Sequence, residues 1–262
     1  MYPYIYIFNS KIPTYGIMAL IGILLMGTYV VKTLQKKGYN EVNLLMCLLS
    51  VALGSFIGAH IIYFLTQFGN FIILLKNITI LNSLKKIILA FYSLFGGWVF
   101  YGGLIGGIIA IIIYCKIHRI KSIEFLNVYA PAVALFHFFG RIGCFLAGCC
   151  YGIESNIGFM FHHSEMPHAN DVTRFPIQLV ESAYCLILFI LLDYLYRKTK
   201  FKDKTAYLYL ILYPIGRFIF EFFRGDTYRG FLWIFSTSQW ISIILFIIGF
   251  IGIIKTRKKA SK

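Results

Sequence analysis

Apolar residues run along this chain in stretches of twenty or more, separated by short polar connections, and that pattern predicts helices that cross a membrane. A helix needs about 20 apolar residues to span the hydrocarbon core. Seven stretches qualify, at roughly 15–34, 42–65, 87–115, 123–147, 177–196, 205–223 and 233–254. The segment Phe71–Leu81 is apolar but short and is interrupted by Lys76, which marks it as an interfacial or re-entrant element. No Pro/Gly/Ser-rich linker, charge run or fixed-period repeat divides the chain. One transmembrane domain over 1–262 is expected, all α-helical and polytopic, with a small outward-facing cap at about 148–176.

Composition agrees with that reading. Of 262 residues 59% are hydrophobic and 13% charged, against about 25% charged in ordinary soluble domains. Disorder and a coiled coil are excluded. The net charge of +15 would suggest a nucleic-acid partner if it formed a stripe on a soluble surface. Here the charges sit between apolar runs, so they report topology instead.

Short cytoplasmic loops carry an excess of Lys and Arg. Sixteen of the 25 basic residues follow the first, third, fifth and seventh stretches: Lys32, Lys36, Lys37; Lys116, Arg119, Lys121; Arg197, Lys198, Lys200, Lys202, Lys204; and Lys255, Arg257, Lys258, Lys259, Lys262. The N-terminus is therefore expected outside and the C-terminus in the cytoplasm. Met1–Ser10 lacks the basic start of a cleavable signal peptide, so the first span is expected to stay attached.

Among the other nine basic residues two lie inside apolar stretches, where a charge costs on the order of 3 kcal/mol. Arg217 and Glu221 are four apart and share a helix face, so either they pair structurally or they belong to a site. Arg141 has no carboxylate three or four residues away, which favours an anionic ligand. The planar guanidinium fork suits a phosphate, and two such residues near one membrane face describe a pocket for a phospholipid headgroup. Six glycines in Gly96–Gly107 allow the backbone to approach a neighbouring helix or a ligand, helix packing being the commoner use. Gly140, Gly143 and Gly148 continue the pattern around Arg141.

With these residues in view, the chain resembles the bacterial prolipoprotein diacylglyceryl transferases nearly end to end. The resemblance is carried by Tyr101-Gly-Gly-Leu-Ile-Gly106, Gly140-Arg-Ile-Gly-Cys-Phe-Leu-Ala-Gly148, Pro176-Ile-Gln-Leu-Val-Glu181 and Arg217-Phe-Ile-Phe-Glu-Phe-Phe-Arg-Gly-Asp226. Tyr15-Gly16 and Ser238-Gln239 also match family positions. The resemblance implies a multi-pass enzyme of the bacterial cytoplasmic membrane. It would move the diacylglyceryl group of phosphatidylglycerol onto the lipobox cysteine thiol of a secreted prolipoprotein, releasing glycerol phosphate. Its partners would be that phospholipid, the precursor proteins and the bilayer; no cofactor, metal or nucleic acid is expected.

On this resemblance Arg141 and Arg217 stabilise the departing phosphate, Glu221 orients Arg217, Tyr15 meets the headgroup, and Gln178 with Glu181 supports the wall of the site. Gly102, Gly103, Gly140, Cys144 and Gly152 complete the residues expected at the substrate. Tyr101 stands where the family usually has His, a candidate base for the thiol proton, and a phenol with pKa near 10 is a poor acceptor at pH 7. Cys144, Ala147, Cys149 and Phe175 replace the family's Asn, Asn, Glu and His.

Cys144, Cys149 and Cys150 cluster at the end of the fourth stretch, while Cys47, Cys115 and Cys185 are scattered in apolar runs. The C-x4-C-C spacing is not a usual zinc spacing. A disulfide from Cys144 to either neighbour or an arginine-assisted thiolate are the open alternatives. His137, two turns before Cys144, is read as a packing residue or as a helper of that thiol, and His60 as packing or a weak phosphate contact. Two other functions stay in view: a paralogue serving a different acceptor, and a non-catalytic lipid-binding or redox-sensing protein.

Overall fold

The computed structural model describes residues 2–8, 10–77, 83–198, 201–226 and 230–260. Lys200, Arg229, Lys262 and the 78–81 part of the short apolar segment lie outside them. In chain order the elements begin with a hairpin of β1 (Tyr4–Ile7) and β2 (Ser10–Pro13), then α1 (Thr14–Gln35), α2 (Glu41–Thr66), α3 (Phe68–Lys76), α4 (Leu84–Phe95), α5 (Phe100–Ile117) and α6 (Ser122–Ala147). There follow β3 (Glu154–Met160), β4 (Thr173–Arg174), α7 (Ile177–Lys198), α8 (Thr205–Phe220), β5 (Phe231–Leu232), β6 (Phe235–Ser236) and α9 (Thr237–Ala260). Among the described residues, seven helical segments are long and apolar enough to cross a membrane: α1, α2, α5, α6, α7, Lys202–Phe223 around α8, and Thr237–Thr256 of α9. The protein is an all-α, multi-pass membrane protein; among the described residues its strands pair as small two-stranded sheets.

Two spans are shorter than the hydrophobic pattern predicts. The third, read as 87–115, breaks at 96–99 into α4 and α5. A β-carbon on Gly97 would overlap the Tyr63 ring, and the Val99 N–H reaches the Ala59 carbonyl at 3.4 Å, so this stretch lies along α2 instead of continuing a helix. His60 closes the end of α4, its Nδ1 donating to the Phe95 carbonyl at 2.7 Å. The last span begins at Thr237, since Phe231–Ser236 forms the β5–β6 hairpin. In the Phe71–Leu81 segment the described part belongs to α3, which at 1.5 Å per residue is roughly 13 Å long and too short to span.

The chain packs as two compact units, Leu34–Leu126 and the remainder. In Leu34–Leu126, α2 and α5 meet backbone to backbone. β-Carbons on Gly58 and Gly106 would overlap the carbonyls of Gly102 and Gly54. Small residues replace a hydrophobic driving force that lipid cannot supply, because they let two helices approach closely. The lipid-type surface is plain on α2, where Leu45, Leu49, Leu53, Phe56 and Leu65 are exposed. At the loop end Lys37 and Tyr39 both bind Glu124, at 2.7 and 3.1 Å.

In the other unit α6, α7 and α8 share a core of Ala130, Ala134, Leu188, Leu192 and Tyr209. The first turn of α8 has no side-chain cap of its own; Asn127 of α6 supplies one, its Oδ1 accepting the Ala206 N–H at 2.8 Å. Tyr184 ties α7 to α8 through the Leu212 carbonyl at 2.6 Å, and Ser182 ties α7 to α6 through the Phe138 carbonyl at 3.0 Å. The 148–176 connection folds onto the end of α6, where Tyr151, Phe161 and Ala169 form a small core with Phe145 packed against it. Arg174 stacks over the Tyr151 ring at 4.6 Å and donates to the His168 carbonyl, which pins the connection internally.

Candidate active site

Four charged side chains from α6, α7 and the end of α8 converge in the larger unit. Arg141 Nε contacts Glu181 Oε2 at 2.5 Å, and the other oxygen of the same carboxylate, Oε1, accepts from Arg217 Nη1 at 3.1 Å. Arg217 Nη2 in turn meets Glu221 Oε2 at 2.8 Å and Ser238 Oγ at 3.3 Å. Glu181, Arg217 and Glu221 are buried and Arg141 nearly so, its side chain 18% exposed. Two guanidinium and two carboxylate charges therefore cancel within the cluster, which is how four ions can sit at this depth.

The sequence expectation that Arg217 and Glu221 pair along one face holds. Arg141 indeed has no carboxylate within its own helix face, but it is not unpaired: its partner comes from α7, forty residues on, where no count along its own helix can find it. Tyr184, Tyr213 and Phe220 line a pocket with Arg141, Glu181 and Arg217. The sequence pattern does not single out those three, which read as ordinary aromatic residues of apolar helices. Ser236 and Ser238, with hydroxyls 3.0 Å apart, join Gln239 in a buried polar cluster at the start of α9.

Gln178 lies three residues before Glu181, one turn earlier on α7, and is almost wholly buried. Its Nε2 donates to the Cys149 carbonyl at 2.9 Å, while its Oε1 finds no hydrogen-bond partner among the described residues. Tyr15 opens α1, half exposed, with its Cδ2 3.1 Å from where a β-carbon on Gly143 would stand. Gly140, one residue before Arg141, faces open space, with nothing within 4 Å of where a β-carbon would stand. Gly152 is packed instead, since a β-carbon there would overlap the Phe175 carbonyl, and it forms a bridge with Arg224. Arg224 itself holds Asp226 through Nε at 3.0 Å and Nη2 at 2.6 Å.

Tyr101, Gly102 and Gly103 belong to the Leu34–Leu126 unit, at the first turn of α5. Gly102 is buried against Gly58, which is the helix-packing use of these glycines. Tyr101 is half-buried and sits edge-on to Phe100, ring centroids 5.8 Å apart. His137 fills the packing alternative: its ring lies 4.7 Å from that of Tyr213, and Nδ1 is 3.4 Å from the Tyr209 hydroxyl.

None of the six cysteines is joined in a disulfide among the described residues. Cys144, Cys149 and Cys150 bring their sulfurs within 4.8 Å of one another. Beyond the end of α6, the Cys150 thiol is held well below the usual thiol range by hydrogen bonds from Cys144 and Cys149, with Arg224 assisting, whereas hydrogen bonds with Cys144 and Cys150 push Cys149 up.

Residues 3–255 match the profile of a family described as prolipoprotein diacylglyceryl transferase. A phosphatidylglycerol–prolipoprotein diacylglyceryl transferase of Clostridium tetani is 37% identical over 245 residues, 93% of this chain and 92% of its own length. A protein of Clostridium perfringens named as the same transferase, number 2, is 35% identical over 93% of this chain and 90% of its own. One of Finegoldia magna is 29% identical over 98% of this chain and 96% of its own. Matched over almost its whole length, and with the buried arginine–glutamate cluster in place, the chain belongs to the prolipoprotein diacylglyceryl transferase family.

Proposed function

We propose that this protein transfers the diacylglyceryl group of phosphatidylglycerol to the cysteine thiol of a prolipoprotein. The reading rests on the family and, in this chain, on one observation: Arg141 and Arg217 are held by opposite oxygens of a single carboxylate, that of Glu181. That bridge fixes both guanidinium planes in a low-dielectric site before any substrate arrives. Preorganised cations act most strongly on charge that develops in the transition state, typically for about 10²–10³ in rate per donor.

In the reaction the acceptor sulfur forms a bond to the glyceryl carbon as the bond from that carbon to the phosphate oxygen breaks. The thiol proton passes to water, and glycerol phosphate leaves carrying the negative charge. Arg141 and Arg217 meet that phosphate, Glu221 and Ser238 hold Arg217 in place, and Tyr15 hydrogen-bonds the headgroup near Gly140. Gln178 lends its unoccupied Oε1 to a hydroxyl of the glycerol. The resemblance also assigns substrate contacts to Tyr101, in the family's His position, to Gly102 and Gly103, and to Cys144 and Gly152. The acyl chains stay in the bilayer.

The whole chain acts as one domain of the bacterial cytoplasmic membrane, N-terminus outside, C-terminus inside, with 148–176 as its outward cap. The cationic excess of the connections after α1, α5, α7 and α9 supports this orientation. Complementation tests the function: with the cell's own transferase depleted, the wild-type chain restores lipoprotein lipidation and Arg141→Ala does not. Full complementation by Arg141→Ala would reject the reading.

A further inference from the structure

The end of α6 explains why three cysteines at an unusual spacing share one place. Gly148 has φ +73°, and its N–H reaches the Phe145 carbonyl at 3.2 Å while the Cys149 N–H reaches the Cys144 carbonyl at 3.1 Å. Those two bonds are the Schellman helix end, which sets the fourth-last helical residue beside the second residue beyond the helix. Here the two residues are Cys144 and Cys149. Cys150 then adopts φ +54°, a left-handed backbone that costs a non-glycine residue about 1–2 kcal/mol. That turn brings the third sulfur to the other two. The turn is held from both sides: Gln178 Nε2 binds the Cys149 carbonyl at 2.9 Å, and the Gly225 N–H binds the Tyr151 carbonyl at 2.9 Å, which anchors the Arg224 strand alongside.

We propose that Cys144, Cys149 and Cys150 form a binding site for one thiolate-preferring divalent ion of the zinc class. The proposal rests on the geometry of this helix end and not on the transfer reading above, with which it shares Cys144. Zinc–sulfur bonds of about 2.3 Å place the sulfurs of a tetrahedral site about 3.8 Å apart. Sulfurs already within 4.8 Å reach that spacing by small side-chain rotations. On binding, three S–H bonds give up their protons to solvent and three metal–sulfur bonds form, leaving the complex with one net negative charge. Arg141, one turn before Cys144, and Arg224, bridged to Gly152, lie near this helix end, each already paired with a carboxylate. Thiolates exclude Mg²⁺ and Ca²⁺, which require oxygen donors. Three protein ligands leave a fourth position open to water or to an incoming thiol.

The spacing hides the site because zinc motifs are recognised by pairs of cysteines two to four apart in a knuckle, whereas here a helix end does the folding. The test uses the full-length protein in detergent, reduced and stripped of metal, then titrated with Cd²⁺ and with Zn²⁺ against a chromophoric chelator. The expected result is one ion per chain, with affinity falling more than about 100-fold in Cys150→Ser and unchanged in Cys47→Ala. A readout on the wild-type chain avoids dependence on variants that misfold: Zn²⁺ protects Cys144, Cys149 and Cys150 together from alkylation, read residue by residue by mass spectrometry. Uptake without saturation at one equivalent, or protection of none of the three thiols, overturns the proposal.

Discussion

Arg141 and Glu181 meet at 2.5 Å across the α6–α7 interface, and through its second oxygen the same carboxylate also holds Arg217. One acid thus positions two cations from two other helices. Exchanging Arg141 for Lys keeps the charge but loses the planar fork and the Nε contact. Arg141→Lys is expected to fold, to keep its detergent-solubilised melting temperature within a few degrees, and to transfer diacylglyceryl at least about 100-fold more slowly. Transfer within threefold of wild type would show that charge alone suffices.

The two glutamates should behave unequally. Glu181→Gln leaves two buried guanidinium groups without their shared partner, and breaking a buried pair costs about 3–5 kcal/mol. Glu221→Gln leaves Arg217 still bound to Glu181 and Ser238. Thermal unfolding of the two variants should therefore separate, with Glu181→Gln clearly the less stable; equal losses would contradict the bridge.

Glycines that look alike in the sequence have different surroundings. Gly106→Ala places a methyl into the Gly54 carbonyl and forces α2 from α5, at a cost of about 1–3 kcal/mol. Gly140→Ala meets nothing within 4 Å, so it should fold with wild-type stability while slowing transfer if the space beside Arg141 receives the headgroup. Differential scanning calorimetry paired with a transfer assay distinguishes the two.

The pH dependence of transfer reports on Tyr101. With a phenol in place of an imidazole at this position, the rate should climb with ionisation of the acceptor thiol, toward about pH 8.5. Tyr101→His introduces an acceptor of pKa about 6.5 and should lift the rate between pH 6.5 and 8.5, flattening the profile. A wild-type profile already flat over that range would place a base elsewhere.

Much of this was legible in the residues, for reasons that also explain what was not. Spans follow from length and hydropathy because lipid tolerates no other backbone, so α1, α2, α6 and α7 fall where the pattern puts them. The α4–α5 break does not show in hydropathy, since Gly96–Val99 is apolar; it depends on Tyr63 and His60 of another helix. Along the site, Arg217 and Glu221 pair within one helix and are visible as an i, i+4 spacing, while the Glu181 bridge is tertiary and becomes visible only when α6, α7 and α8 are packed. The same holds for Asn127, whose capping of α8 has no local signature.

The central claim is group transfer, and it is tested most directly with purified protein, phosphatidylglycerol labelled in its acyl chains, and a peptide bearing a lipobox cysteine. The account predicts that label moves to the peptide cysteine as a thioether, with one glycerol phosphate released per transfer, and that Arg141→Lys loses most of this activity. Lipid binding without transfer, or equal labelling of a peptide with Ser in place of its cysteine, would contradict it.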